Sequence, residues 1–379
     1  MERGRRTLES LGMNPPFWKH KKVLLTGHTG FKGSWLSLWL QGLGADVSGY
    51  SIDVPTDPSL YDAAEVGDGM TSVTGDVCDL ASLKSFVHET GPEIVIHMAA
   101  QSLVRRSYTD PVGTYDTNIM GTVNLLEAVR NIGGVRAVII VTSDKCYDNE
   151  EREQGYREDE PMGGYDPYSS SKGCAELITA AYRNSFFNNA DFGRHETAVA
   201  SVRAGNVIGG GDWTPDALVV DVFRALTQGA PVQLRYPSAC RPWQHVLQAL
   251  SGYLTIAARL LESDDPSLCG GWNIGPLPGN EISVREVVER FLAEWGEGSW
   301  VDAGDPSLPR EANILRLSID KALWQLGWRP RWTIDDVLRH TAHWYRQHHE
   351  GRGSMRQLCL EQAAAYETAP PLATRGSSS

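Results

Sequence analysis

Short apolar runs alternate with longer amphipathic stretches through the first half of the chain. Lys22 to Thr26 (KVLLT), Val47 to Ile52, Glu93 to Met98 (EIVIHM), Ala137 to Thr142 (AVIIVT) and Thr197 to Arg203 read as buried parallel strands, with a weaker one at Met70 to Gly75. Between them, Ser34 to Gly42, Leu80 to Glu89, Asn118 to Asn131 and Tyr168 to Phe187 carry helical patterns. Strand–helix alternation at this spacing predicts right-handed crossovers and a doubly wound α/β fold, its parallel sheet covered on both faces.

The pattern loosens after about residue 206. Gly209-Gly210-Gly211 opens a loop, and Pro, Trp and Gly become frequent. Val246 to Leu261, Val284 to Trp295 and Ile334 to His349 are predicted helices, the first returning to the larger domain. The expected organisation is a flexible extension (1–16), a larger α/β domain (17–206 and 240–262), a smaller mixed α/β substrate domain (207–239 and 263–355) and a flexible tail (356–379). No repeat recurs at periods of 20–50 residues.

Composition narrows the function classes. The 379 residues carry 35 Lys and Arg against 47 Asp and Glu, a net charge of −12, which disfavours a general nucleic-acid or anionic-membrane binder while leaving room for a local basic pocket. No apolar run approaches the roughly 20 residues of a membrane span, and no apolar core follows the basic start. Six cysteines without a CxxC pair suggest free thiols in a reducing cytoplasm and no metal site. His340, His343, His348 and His349 read as a polar helix face rather than a metal centre.

Three motifs carry candidate chemistry. Gly27-His28-Thr29-Gly30-Phe31-Lys32-Gly33 is a GxxGxxG between a predicted strand and helix. Its glycines let backbone approach a pyrophosphate, and the helix start offers N–H groups and a positive dipole end. Asp53, 20 positions past Gly33, would accept from adenosine ribose hydroxyls and repel a 2′-phosphate, favouring NAD over NADP. Asp76 and Val77 contact adenine or cap a helix; the pattern leaves both open. Tyr168-Ser169-Ser170-Ser171-Lys172 places a phenol and an ammonium on one helix face, where the cation is expected to lower the phenol toward neutrality. Thr142-Ser143-Asp144-Lys145 ends a predicted strand, where open parallel sheets bind ligands; it suggests acid/base work beyond hydride transfer, or a loop salt bridge.

Together these motifs resemble the extended short-chain dehydrogenase/reductase family, and within it the nucleotide-sugar 4,6-dehydratases. Longer blocks strengthen the resemblance: GHTGFKGSWLSLWL (Gly27 to Leu40), HMAAQSLVR (His97 to Arg105), TSDKCYDN (Thr142 to Asn149), EPMGGYDPYSSSKGCAE (Glu160 to Glu176), RAGNVIGGGDW (Arg203 to Trp213) and RPWQHV (Arg241 to Val246). It runs from about Phe17 to about Trp344. It implies a Rossmann-type sheet, NAD as cofactor and a redox-neutral loss of water from a nucleotide-linked glucose, CDP-glucose on the Asp144-Lys145 pattern, for deoxysugars of cell-surface polysaccharide such as O-antigen.

By the same resemblance, Gly27, Thr29, Gly30, Phe31, Lys32, Gly33, Ala99, Ala100 and Gln101 line the cofactor with Tyr168 and Lys172. Ser102, Asn118, Ser143, Asn206 and Arg241 face the substrate, Arg241 neutralising its diphosphate. Tyr168 is the base at the 4-hydroxyl, Ser143 holds O4, Asp144 is the acid at O6 and Lys145 the base at C5. The dTDP-glucose enzymes carry Glu where Lys145 stands. A lysine base needs a lowered pKa, expected here from burial and from the nearby Lys172 charge. Residues 118–131 and 168–187 are expected to pair copies through a four-helix interface, as a homodimer or homotetramer. The competing readings are a nucleotide-sugar epimerase or reductase, which needs no Asp144-Lys145 pair, and a non-catalytic NAD sensor, which needs no proton-transfer set.

Overall fold

A computed structural model describes residues 14–262, 265–279, 281–304 and 315–373. Seven parallel strands form the central sheet: β1 (Lys22–Thr26), β2 (Asp46–Ser51), β3 (Thr71–Thr74), β4 (Ile94–His97), β5 (Ala137–Val141), β6 (Ala198–Ala204) and β7 (Gly271–Ile274). Their order is β7-β6-β5-β4-β1-β2-β3. The order reverses at β1, which pairs with β2 on one side and β4 on the other, so a crevice opens at the carboxyl ends of β1 and β4.

Burial explains why the strands read as continuous apolar runs. Val23, Leu25, Ile94, Ile96 and Ile139 enter one core layer, whereas Leu24, Val95, Val138 and Ile140 enter the other. Alternate residues feed opposite faces, so β1, β4 and β5 carry apolar residues toward both layers. The first layer is closed by α1 (Phe31–Gly42) and α5 (Val246–Glu262), the second by α2 (Leu80–Thr90), α3 (Gly121–Ile132) and α4 (Pro167–Ser185). Caps fix the helix starts: Asp79 accepts from Ala81 and Ser82 N–H groups, and Asp166 from the Ser169 N–H, with Pro167 opening α4.

The smaller lobe holds α6 (Val284–Trp295), α7 (Ile334–His349) and a helix at Leu218–Thr227 that the pattern did not predict. Two-stranded pairs join Val232–Leu234 to Trp300–Asp302 and Cys240–Arg241 to Ile282–Ser283.

Four expectations need correction. The boundary at 263 is wrong for β7, which extends the main sheet beside β6; Gly271 and Asn273 interrupt its apolar character, and pairing to β6 makes it a strand. The tail from 356 is not wholly flexible: α8 (Met355–Thr368) buries Met355, Cys359, Ala363 and Tyr366 along one face, and Glu367 accepts from the Trp39 indole at 2.6 Å. The extension gives way to a short helix at Pro15–Trp18, with Trp18 buried; residues 1–13 and 374–379 lie outside the described residues. The late histidines are a polar face only in part: His343 and His349 are exposed, whereas His340 stacks on Trp332 at 4.0 Å and His348 on Trp344 at 5.3 Å. Among the described residues no helix is long and apolar enough to cross a membrane.

Candidate active site

The glycine loop is shaped by what cannot fit there. Gly27 has φ +75°, and a Cβ on it would lie 2.7 Å from the Ala99 nitrogen. A Cβ on Gly33 would lie 2.1 Å from the Gly27 carbonyl oxygen. The loop therefore folds tightly between β1 and α1, against the end of β4. Gly30 caps α1 without a side-chain bond, leaving the helix start to backbone N–H groups. His28 tucks beneath, within 2.8 Å of the Ser51 hydroxyl and 2.7 Å of the Ser72 hydroxyl; burial lowers its pKa to about 4. Thr29 donates to the Asp53 carbonyl at 2.5 Å, which places the exposed Asp53 at the loop mouth.

A second set of groups gathers at the ends of β5 and β6. Ser143 caps a single 3-10 turn, Asp144–Cys146; its hydroxyl donates to Asp144 Oδ1 at 3.0 Å and accepts from the Lys145 N–H at 3.2 Å. Asp144 is buried, and burial raises its pKa against the opposing pull of Lys145, Ser143 and Lys32. Gly205 makes room for it: a Cβ there would sit 2.9 Å from Asp144 Oδ2. Tyr168 and Lys172 project from α4, both buried, and the Lys172 ammonium donates to the Val141 carbonyl at 3.4 Å. Burial and the Lys32 charge lower Lys172 to about 8. Burial likewise lowers Lys32 to about 8, against Asp144 and Asp212, so Lys32 also faces the acid end of the site.

Two electrostatic expectations are corrected here. Tyr168 is not lowered toward neutrality: burial raises it, with Asp144 and Asp166 pushing the same way and the Ser143 hydroxyl opposing. Lys145 is exposed, because the turn points Asp144 and Cys146 inward and Lys145 outward; the burial expected for it is absent. Among the described residues, no group of His, Cys, Asp and Glu could hold a metal ion.

Comparison with known proteins fits this geometry. A family described as GDP-mannose 4,6 dehydratase matches residues 24–206. A CDP-glucose 4,6-dehydratase of Salmonella typhimurium is 51% identical, the match covering 87% of this chain and 92% of that protein. The chain belongs to the nucleotide-sugar 4,6-dehydratase family. A dTDP-glucose 4,6-dehydratase of Streptomyces griseus is 28% identical over 86% of this chain and 94% of its own. Among solved structures, a dTDP-glucose 4,6-dehydratase of Streptomyces venezuelae with NAD bound superposes with a TM-score of 0.73, at 24% identity, covering 88% of this chain and 99% of that one. The Thermus thermophilus UDP-glucose 4-epimerase complex with NAD gives 0.71 at 26% identity, covering 86% and 98%.

Within this dehydratase, the remaining candidate residues divide into those at the crevice and those that build it. Ala99 and Ala100 follow β4, and exposed Ser102 lies beyond them. Asn118 does not point into open space: its Oδ1 accepts from the Gln101 N–H at 2.8 Å, and its amide donates to the Gln101 carbonyl at 3.0 Å and the Ser171 hydroxyl at 2.8 Å. The Gln101 side chain is likewise engaged, with Leu103 and Thr114. Both therefore set the course of the loop rather than present free donors.

Asp76 accepts from the Cys78 N–H at 2.9 Å in a turn ahead of the helix that Asp79 caps, so it is not the cap, and Val77 is buried in the second core layer. Asn206 joins the short pair Val207–Ile208 and Gln244–His245, its carbonyl accepting from the Gln244 N–H at 3.0 Å. Arg241 is half-buried on Cys240–Arg241 and donates to the Cys240 carbonyl at 3.0 Å. Sequence reasoning passed over Thr142, Glu176 and Arg203 as site residues, although Glu176 extends the spacing of Tyr168 and Lys172 by one more helical step.

Proposed function

We propose that this protein is an NAD-dependent hydro-lyase that converts CDP-D-glucose to CDP-4-dehydro-6-deoxy-D-glucose and water. The observation that carries the reading is the 51% identity to the Salmonella dehydratase over nearly the whole chain. The grouping of Ser143, Asp144 and Tyr168 at one sheet edge supports it.

The glycine cradle fits a dinucleotide, since Gly27 and Gly33 leave backbone where any side chain would collide. NAD, when bound, supplies a two-electron carrier that accepts from C4 and returns to C6, so the reaction is redox neutral. The protein handles the protons. Tyr168 takes the proton of the 4-hydroxyl, with Ser143 holding O4; because burial raises the phenol in the chain alone, the positive charge that bound NAD would bring, beside the Lys172 cation, would be what favours the phenolate. The 4-ketone makes the C5 proton acidic; Lys145 removes it and gives it back to C5 as C6 is reduced, and because its side chain is exposed, the bound sugar has to supply the burial that the chain alone does not. Asp144, which burial inclines to keep its proton, protonates the departing 6-hydroxyl, so one water leaves. Arg241 serves the substrate diphosphate, a task suited to a guanidinium fork.

An epimerase or reductase would gain nothing from a buried acid beside Ser143, which favours elimination. Exposed apolar residues Met120, Leu177 and Phe186, on the segments expected to pair copies, support a homodimer or homotetramer through a four-helix interface. The direct test is mass spectrometry of CDP-glucose incubated with the protein and catalytic NAD. Loss of one water without net NADH is expected; unchanged CDP-glucose alongside a dehydrated dTDP-, GDP- or UDP-sugar would move the reading to that nucleotide.

A further inference from the structure

The helix that carries Tyr168 and Lys172 presents a third titratable group on the same face. Glu176 follows Lys172 by four residues and pairs with Arg203 of β6 at 2.8 Å, each side chain only 5% exposed. Its carboxylate also accepts from Thr142 Oγ1 at 2.5 Å and Ser201 Oγ at 2.6 Å. Arg203 reaches onward. Its Nη1 donates to the Tyr147 hydroxyl at 2.6 Å and the Glu158 carbonyl at 3.0 Å, and its guanidinium carbon lies 4.9 Å from the Tyr147 ring centre. The Tyr147 hydroxyl donates to Asn273 of β7 at 2.8 Å.

Thr142 and Tyr147 are the residues on either side of Ser143-Asp144-Lys145-Cys146. One buried ion pair thus grips both ends of the segment that bears the acid and the base. It does so from the helix that bears Tyr168 and the strand beside β5.

Stability alone gives a poor reason for such a pair. Desolvating two charges costs so much that well-packed apolar residues of similar volume often stabilise as well or better. An apolar pair would fasten α4 to β6, but it could not orient the Thr142 and Tyr147 hydroxyls. The pair is also held charged. Burial pushes the Glu176 carboxyl up, but Arg203 and the two hydroxyls outweigh burial and hold it below the usual carboxylate range.

We infer that Glu176 and Arg203 are positioning residues for the elimination half of the reaction, fixing through Thr142 and Tyr147 where Asp144 and Lys145 stand relative to Tyr168. The inference rests on the dehydratase reading.

Thr142→Val tests it in the full-length protein, because it cuts one grip and leaves the Glu176–Arg203 pair and Ser201 in place. kcat is expected to fall about tenfold or more while KM for CDP-glucose stays within about twofold. Oxidation at C4 outruns elimination in the variant, so the absorbance of reduced cofactor builds up during turnover. Thr142→Ser, which restores the hydroxyl, is expected to recover kcat to within about threefold of wild type. A kcat unchanged within about twofold, or a loss with no build-up of reduced cofactor and no rescue by serine, overturns the inference. If wild type leaves CDP-glucose intact, the functional reading fails instead. Amide exchange over residues 143–147 then decides the positioning role: faster exchange in Thr142→Val supports it, and equal protection overturns it.

Discussion

The two ends of the crevice are built on opposite principles. At the carboxyl end of β1 the site is made by omission: Gly27 and Gly33 have no side chains because backbone fills the space. At the carboxyl ends of β5 and β6 it is made by side chains that are costly to bury, namely Asp144, Lys172, Glu176 and Arg203. The first end fixes shape and needs little charge. The second tunes proton affinity and needs charges whose surroundings oppose burial.

The largest expected effect is at the second end. Tyr168→Phe removes the phenol that takes the 4-hydroxyl proton, and oxidation at C4 is expected to fall by about a thousandfold. Cofactor reduction in a single turnover measures it; a drop of less than about tenfold, or ~1.4 kcal/mol, would assign that proton to another group. Next is Gly33→Ala, whose methyl meets a carbonyl at 2.1 Å. Because backbone must move, NAD affinity measured by calorimetry is expected to fall about a hundredfold, with Tm lowered as well. Affinity within about threefold of wild type would show that the loop tolerates side chains and erase the contrast between the two ends. Lys145→Ala separates steps within the second end: reduction of NAD by CDP-glucose persists, but water loss stops. Retained turnover would remove Lys145 as the base.

The same contrast sets what could be read from sequence. Omission leaves a mark, since three glycines between a strand and a helix are visible without any partner. The Tyr168–Lys172 spacing is equally local. What escaped depends on partners distant in sequence. Gly271–Ile274 becomes a strand because β6 lies beside it. Residues 356–379 read as a flexible tail, yet the apolar positions of Met355–Thr368 find α1 and α7 to cover. Asn118 has the right residue type and neighbourhood for a ligand contact, but its donors and acceptor are taken by Gln101 and Ser171. Lys145 follows a strand end, as a buried base would, yet the turn after Ser143 carries it outward. The Glu176–Arg203 clamp joins residues 27 apart, and only the helical step from Lys172 hinted at it.

A pH series separates the two ends by the smallest but most diagnostic effect. The cofactor end leans on buried neutral histidines. His28 lies under the glycine loop, lowered to about 4 by burial. His97, lowered to about 3 by burial and the Lys172 charge, contacts Thr26 Oγ1, which accepts from the Met98 and Ala99 N–H groups. Both folded values lie below that of the unfolded chain, near 6.5, so between them only the unfolded chain binds the proton. The stability they contribute is complete above about pH 6.5 and is lost as pH falls toward those values. For His97 the loss is about 2 kcal/mol at pH 5. The reaction end leans on Lys172, lowered to about 8, so its ammonium disappears as pH rises through that value. Above it the unfolded chain still holds the lysine proton, so alkali relieves the burial penalty and Lys172 gives no reason to unfold. Acid is therefore expected to lower Tm and NAD affinity together, whereas alkali above about pH 8 lowers the rate of C4 oxidation while Tm holds. Parallel loss of Tm and rate on both limbs would mean that one titration governs the whole crevice, and that its two ends are not independently built.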